Sequence, residues 1–173
     1  EVLINALTDF IQASDMTGIA SSEEAMRRLL AFESFDEFWV ETRLDMKTRN
    51  LPGYRFKHNS YRGPHKGGIR CDPVVDFNEV AALAFMMTLK CARTKLLFSG
   101  ANGGMQIDPK LYRGKDLEFA ETLSNFGRSL FLVTGPAHDI AAGDIGVGTR
   151  EIGLMFEGFK SALRDISLLA YGI

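Results

Sequence analysis

At 173 residues, with 46% hydrophobic and 24% charged positions, the chain has the length and composition of a globular unit that buries a sizeable core. A formal net charge of -2 gives no electrostatic motive for nucleic acid or an anionic membrane, and no apolar run is long enough to span a bilayer. Cys71 and Cys91 stand far apart and read as reduced thiols of a cytoplasmic protein; they and His58, His65 and His138 lack metal-ligand spacing, so no metal site is expected.

The chain opens Glu1-Val2-Leu3-Ile4, with neither an initiator methionine nor the basic stretch of a signal peptide, so it reads as a processed or excised chain. Leu3, Leu7, Phe10 and Ile11 recur at helical spacing and predict a first helix over 2–13. Ser21-Ser22-Glu23-Glu24 has the form of a capping box and predicts a second helix running toward Phe32. Over 38–46 the chain alternates, with Phe38, Val40, Thr42, Leu44 and Met46 on one face and Glu41, Arg43 and Asp45 on the other, as in a strand buried on one side. Asn50-Leu51-Pro52-Gly53 predicts a turn and 54–61 a returning strand, so the pair reads as a hairpin.

Asp76-Phe77-Asn78-Glu79 opens a long helix whose expected core stripe is Val80, Leu83, Met87 and Cys91. Leu96 to Phe98 and Met105 to Ile107 read as short strands on either side of a glycine loop, Gly100 to Gly104. Phe119, Leu123, Phe126, Leu130 and Val133 predict an amphipathic helix that ends before Gly135-Pro136. Asp139-Ile140-Ala141 reads as a short strand, and Thr149 can cap a last helix to about Arg164. With no repeat, low-complexity tract or linker, residues 1–173 are expected to form one α/β domain: a mixed sheet of about five strands with helices on both faces.

Four positions could carry chemistry, and each also has a plain reading. Lys66, beside Gly67 and Gly68, is either an exposed loop lysine or an anion-binding cation next to flexible backbone amides. The same glycines bring backbone close to something, a ligand or another chain. Lys90 falls on the apolar side of its helix, where it either snorkels to the surface or points into a cleft. Asp144, between Gly143 and Ile145, is a turn or cap residue or a site carboxylate. Asn102 lies in a glycine loop that lacks the lysine and hydroxyl of a phosphate-binding loop, and Gly143 to Gly148 does not match the dinucleotide fingerprint.

Taken in order, Lys66-Gly67-Gly68-Ile69-Arg70, Met87-Thr88-Leu89-Lys90, Phe98 to Gly104 and Ala142 to Thr149 resemble the N-terminal, substrate-binding domain of the glutamate dehydrogenases. These belong to the wider glutamate/leucine/phenylalanine/valine dehydrogenase family. The resemblance implies that Lys66 pairs with the side-chain carboxylate of glutamate or 2-oxoglutarate and Lys90 with the α-carboxylate. It implies that Asp144 serves in proton transfer at the amino group. The branch acting on leucine, phenylalanine or valine has an apolar residue where Lys66 stands, so a dicarboxylate is favoured. Asn102 occupies the position of the family's catalytic lysine, and an amide cannot exchange a proton near neutral pH. The family also implies NAD or NADP, bound in a following Rossmann domain that these residues do not include, and assembly into dimers or hexamers. Two functions remain open: part of a glutamate dehydrogenase, inactive as this piece, or a non-catalytic module that binds a dicarboxylate.

Overall fold

The computed structural model describes residues 1–18 and 22–170. Five strands form one sheet in the order β1-β2-β4-β3-β5: β1 Ser34–Leu44, β2 Lys47–Lys57, β3 His65–Asp72, β4 Ser99–Gln106 and β5 Asp139–Gly143. The β1–β2 and β2–β4 pairs are antiparallel, whereas the β4–β3 and β3–β5 pairs are parallel, so the sheet is mixed as expected. The helices are α1 Val2–Thr17, α2 Glu23–Leu30, α3 Phe77–Arg93, α4 Asp116–Leu130 and α5 Thr149–Ala170.

Helix boundaries follow local chemistry. α1 runs past the expected end and stops at Gly18, whose φ of 65° is the left-handed conformation glycine adopts at little cost. α2 is capped by the Ser22 hydroxyl, which accepts from the Ala25 amide, and stops at Leu30, short of Phe32; Ser21 of the expected box lies outside the described residues. Asp76 caps α3 by accepting from the Glu79 amide. α5 starts at Thr149 and continues beyond Arg164 to Ala170.

The two sheet faces bury different clusters. On one, Phe56, Val75, Val80, Ala81 and Ala84 pack together under α3, with Leu3 of α1 against them. On the other, Val40, Ile69, Cys71 and Met105 meet Phe119, Leu123 and Phe126 of α4 and Met155 of α5. The stripe expected of α4 is therefore its core stripe, with Val133 packed beside it.

Three expectations are corrected. The hairpin turn is at Asp45-Met46, both at positive φ (53° and 60°), and Asn50 to Gly53 lie inside β2. The Glu118 carboxylate on α4 accepts from the amides of both turn residues, so a tertiary contact holds a turn that has no glycine. Pro52 is tolerated within β2 because the β2–β4 ladder begins only at Gly53. The glycine loop is the second correction: Gly100 to Gly104 belong to β4, a buried interior strand, and Leu96 to Phe98 are not strand. Third, the core stripe of α3 is Val80, Ala84, Thr88 and Cys91, whereas Leu83 and Met87 are only partly buried.

β4 is glycine-rich because helix α3 lies directly on it. A Cβ at Gly100 would run into the Ala84 carbonyl oxygen and the Thr88 amide of that helix. Instead the Gly100 amide donates to the Thr88 hydroxyl at 2.9 Å, and Thr88 also bonds the buried His58 ring at 2.9 Å. α3 packs chiefly on β4, which leaves the β3–β5 half of that face open beside it.

Candidate functional site

That open half forms a cleft of about 440 Å³. Its floor is the sheet, with Lys66, Gly67, Gly68 and Arg70 from β3, Asn102 from β4 and Ala142 and Gly143 from β5. Its wall is α3, through Leu83, Met86, Met87 and Lys90, and Asp144 closes the end of β5. Lys66, Gly67, Lys90, Asn102 and Asp144 thus all line one cavity.

Period-two alternation along β3 explains the floor. Lys66, Gly68 and Arg70 share one face, while Ile69 and Cys71 point to the opposite face and the main core. Lys66 is half-buried on a strand and not on a loop, and Lys90 is exposed near the end of α3. Neither lysine has a hydrogen-bond or ion-pair partner among the described residues. Lys90 does not lie over the core: it extends the row of Leu83 and Met87 that faces the cleft.

Asp144 is held on three sides. Its Oδ2 accepts from Nε and Nη2 of Arg70 at 3.3 and 3.0 Å, and its Oδ1 accepts from the Ile145 amide at 2.8 Å. The carboxylate rests over Gly68, where an added Cβ would come within 2.7 Å of Oδ2. Gly67 meets β4, since a Cβ there would overlap the Ala101 carbonyl. The close approaches of both glycines are therefore within this chain.

Arg70 is the main residue that sequence reading missed. It is nearly buried, and its Nη1 donates to Glu79 Oε1 in the first turn of α3 at 2.6 Å while the rest of the fork holds Asp144. One guanidinium therefore links β3, α3 and the end of β5. Its signal was available: four residues after Lys66 on a strand, it must share that lysine's face. Asn102 is 2% exposed, and its Oδ1 has no hydrogen-bond partner. Such an orphaned acceptor is uncommon in a buried strand.

Neither the α3 N-terminus nor the glycine segment before α5 offers free amides to a phosphate. The α3 N-terminus is occupied by the Asp76 carboxylate, and the Gly148 amide before α5 donates to Glu151 Oε2 at 2.8 Å. Gly146 packs against the Cys71 carbonyl. Among the described residues no group of three or more His, Cys, Asp or Glu could hold a metal ion, and no helix is long and apolar enough to cross a membrane. Burial pushes the Cys71 thiol up to about 12, so it is not a nucleophile.

Fold and cleft together define a class, the N-terminal domains of amino-acid dehydrogenases, and comparison with known proteins agrees. Residues 35–161 match the family described as "Glu/Leu/Phe/Val dehydrogenase, dimerisation domain", and the chain belongs to that family. Within it, sequence and fold are those of the glutamate dehydrogenase N-terminal domain. The NAD(P)-specific glutamate dehydrogenase of Xylanibacter ruminicola is 42% identical over 123 residues, which cover 70% of this chain and 27% of that protein. The glutamate dehydrogenase of Peptoniphilus asaccharolyticus superposes with a TM-score of 0.83 at 25% identity, covering 92% of this chain and 39% of that one. The hetero-hexameric glutamate dehydrogenase of Thermus thermophilus, in a leucine-bound form, gives 0.79 at 28% identity, covering 91% and 38%. The chain thus spans well under half the length of these relatives.

Proposed function

We propose that residues 1–173 act as one substrate-binding and oligomerisation domain of a cytoplasmic glutamate dehydrogenase, and that the cleft beside α3 takes a small dicarboxylate, glutamate or 2-oxoglutarate. The observation that carries this reading is the pair Lys66 and Lys90, two cations without anionic partners among the described residues, on a cavity with apolar Leu83 and Met87 between sheet and solvent. Two ammonium groups and a short apolar surface suit two carboxylates joined by methylenes. By family resemblance, Lys66 takes the side-chain carboxylate and Lys90 the α-carboxylate. By the same resemblance Asp144, which Arg70 orients, would exchange a proton with the amino group.

The whole protein would use NAD or NADP, which supplies hydride exchange at the α-carbon when bound outside these residues. The part played by this chain is to bind and orient the acid. Family resemblance and the bare β1 edge also support a homo-oligomer, a dimer or hexamer. Asn102 favours the second reading, a dicarboxylate-binding module without chemistry. A buried amide can donate or accept a hydrogen bond but cannot serve as the proton-exchanging group that the family places there. Loss of such a group costs on the order of two to four powers of ten in rate.

Calorimetric titration with glutarate tests the binding reading. Saturable binding is expected, weakened about tenfold to a hundredfold by Lys66→Ala or Lys90→Ala, as for a lost charge-assisted bond. Equal binding of 4-methyl-2-oxopentanoate would refute the dicarboxylate assignment. Assay of the complete natural protein, with Asn102 and with Asn102→Lys, separates the two readings. A gain of glutamate-dependent NAD(P) reduction only in the lysine variant would support the module.

A further inference from the structure

We infer that Glu79, which does not line the cleft, is a positioning residue for it: by holding Arg70, Glu79 keeps the Asp144 carboxylate fixed and leaves it a negative charge for a cationic group on the ligand. This inference rests on the dicarboxylate reading above and adds a residue that acts from outside the cavity.

Three observations carry it. The first is how the guanidinium is divided. Arg70 Nη1 donates to Glu79 Oε1 at 2.6 Å, whereas Nε and Nη2 converge on one oxygen of Asp144, Oδ2, at 3.3 and 3.0 Å. Coulomb attraction falls with distance, so Arg70 is committed more to Glu79 than to Asp144. The second is what else Glu79 meets. Its Oε2 is buried without a hydrogen-bond partner, and among the described residues no other cation pairs with it. Its charge therefore acts on Arg70 alone. The third is the place of Asp144. Among the described residues that line the cleft it is the one acid, beside Lys66, Arg70 and Lys90, and 27% of its side chain stays exposed.

One arginine against one aspartate would neutralise it, and a ligand ammonium would gain little from the pair. With Glu79 the two carboxylates and one guanidinium sum to a single negative charge, and Asp144 is the carboxylate that reaches the cavity. The same bridge fixes geometry. Arg70 is nearly buried, and Gly104 makes room for its stem, since a Cβ there would come within 3.0 Å of Arg70 Cγ. A guanidinium gripped at both ends of its fork cannot swing, so the carboxylate it holds keeps one orientation. The plain alternative is a clamp in which the Arg70–Glu79 pair only ties the first turn of α3 to β3. The two differ in which ligands they affect. A clamp acts on every acid that enters, whereas a charge held for an ammonium acts only on a ligand that carries one.

The test is calorimetric titration of the 173-residue chain at pH 7 with L-glutamate and with glutarate, which has the same two carboxylates and no ammonium. Glu79→Gln keeps the side-chain length, the backbone amide that Asp76 caps and an oxygen for Arg70, but removes the charge. It is expected to weaken L-glutamate about threefold to tenfold and to leave glutarate within about twofold. In an Asp144→Asn background the same change is expected to weaken L-glutamate less than about twofold, because Glu79 acts through Asp144. Equal weakening of both acids by Glu79→Gln, no weakening of L-glutamate, or an undiminished effect in the Asp144→Asn background would overturn the inference and leave the dicarboxylate site standing. On the natural chain, glutarate binding as tightly as L-glutamate would overturn it as well, even where a variant does not fold, since Arg70 would then leave Asp144 no charge to offer. If neither acid binds, the dicarboxylate reading itself fails and this inference with it.

Discussion

Arg55 on β2 and Asp139 on β5 form an ion pair with neither side chain exposed, although β4 and β3 lie between their strands. Arg55 Nε donates to Asp139 Oδ2 at 2.8 Å, Nη2 donates to Oδ1, and Nη1 donates to the Gly68 carbonyl at 3.1 Å. The guanidinium therefore ties short β5, an edge strand of five residues, back to the antiparallel half of the sheet. Asp139 anchors the strand that delivers Ala142, Gly143 and Asp144 to the cleft.

Removing one partner leaves the other charge buried and unpaired. Arg55→Met or Asp139→Leu is expected to cost about 3–5 kcal/mol, and the double variant less than the sum, because nothing charged remains behind. Urea denaturation of the three variants checks this. A single-variant loss below about 1 kcal/mol, outside the range for a broken buried pair, would show that β5 is held by other contacts.

Gly100 and Gly153 should respond oppositely to alanine. At Gly100 a methyl group meets backbone of α3, which cannot move without carrying Lys90 with it, so a loss of about 1–3 kcal/mol or more is expected. Gly153 sits in α5 with nothing within 4 Å of an added Cβ, so alanine there should gain roughly 0.5–1 kcal/mol from helix propensity. Melting temperatures that move in the same direction for both would contradict this packing.

Stability should depend on pH through His58. Burial lowers its folded pKa from 6.5 to about 4, and its Nδ1 faces the Thr88 hydroxyl and the Asn59 amide. Between those two values the unfolded chain holds a proton that the folded chain does not. Stability therefore falls as pH falls through that window and levels off below it, by about 3 kcal/mol in total from this group. Burial also lowers the pKa of His65, which acts in the same direction. The imidazole resonances of His58 should titrate near 4 by NMR. A midpoint close to 6.5 would remove the effect.

The β1 edge should mediate self-association. Among the described residues β1 pairs only with β2, and Trp39 on it is 65% exposed. A long strand edge beside an exposed indole calls for another chain to cover it. Light scattering at micromolar concentration is expected to give at least twice the 19.2 kDa monomer mass, and Trp39→Lys to shift the population toward monomer. A natural chain that scatters as a pure monomer would place the interface elsewhere.

Where side-chain periodicity carried the signal, sequence reading held. Phe38, Val40, Thr42 and Leu44 point to the α4 side, though Met46, expected on that face, is exposed in the turn, and the Phe119 to Leu130 stripe is the core face of α4. Where a local signal competed with a distant partner, it failed. Asn50 to Gly53 has the stronger turn composition, yet Glu118, more than seventy residues away, bonds both amides at Asp45 and Met46. Glycines read as a loop form an interior strand because α3 needs their missing side chains.

What the sequence determined by itself was the family, the composition of the layers and the four segments that meet at the cleft, since residue type and order are enough to recognise those. It could not show that Arg70 holds Asp144, that Arg55 crosses two strands to Asp139, or that the Asn102 oxygen is buried without a partner. Each of these depends on strand register and on where α3 rests against β4. Register and helix placement follow from the simultaneous packing of residues far apart in the chain, so only the folded structure decides them.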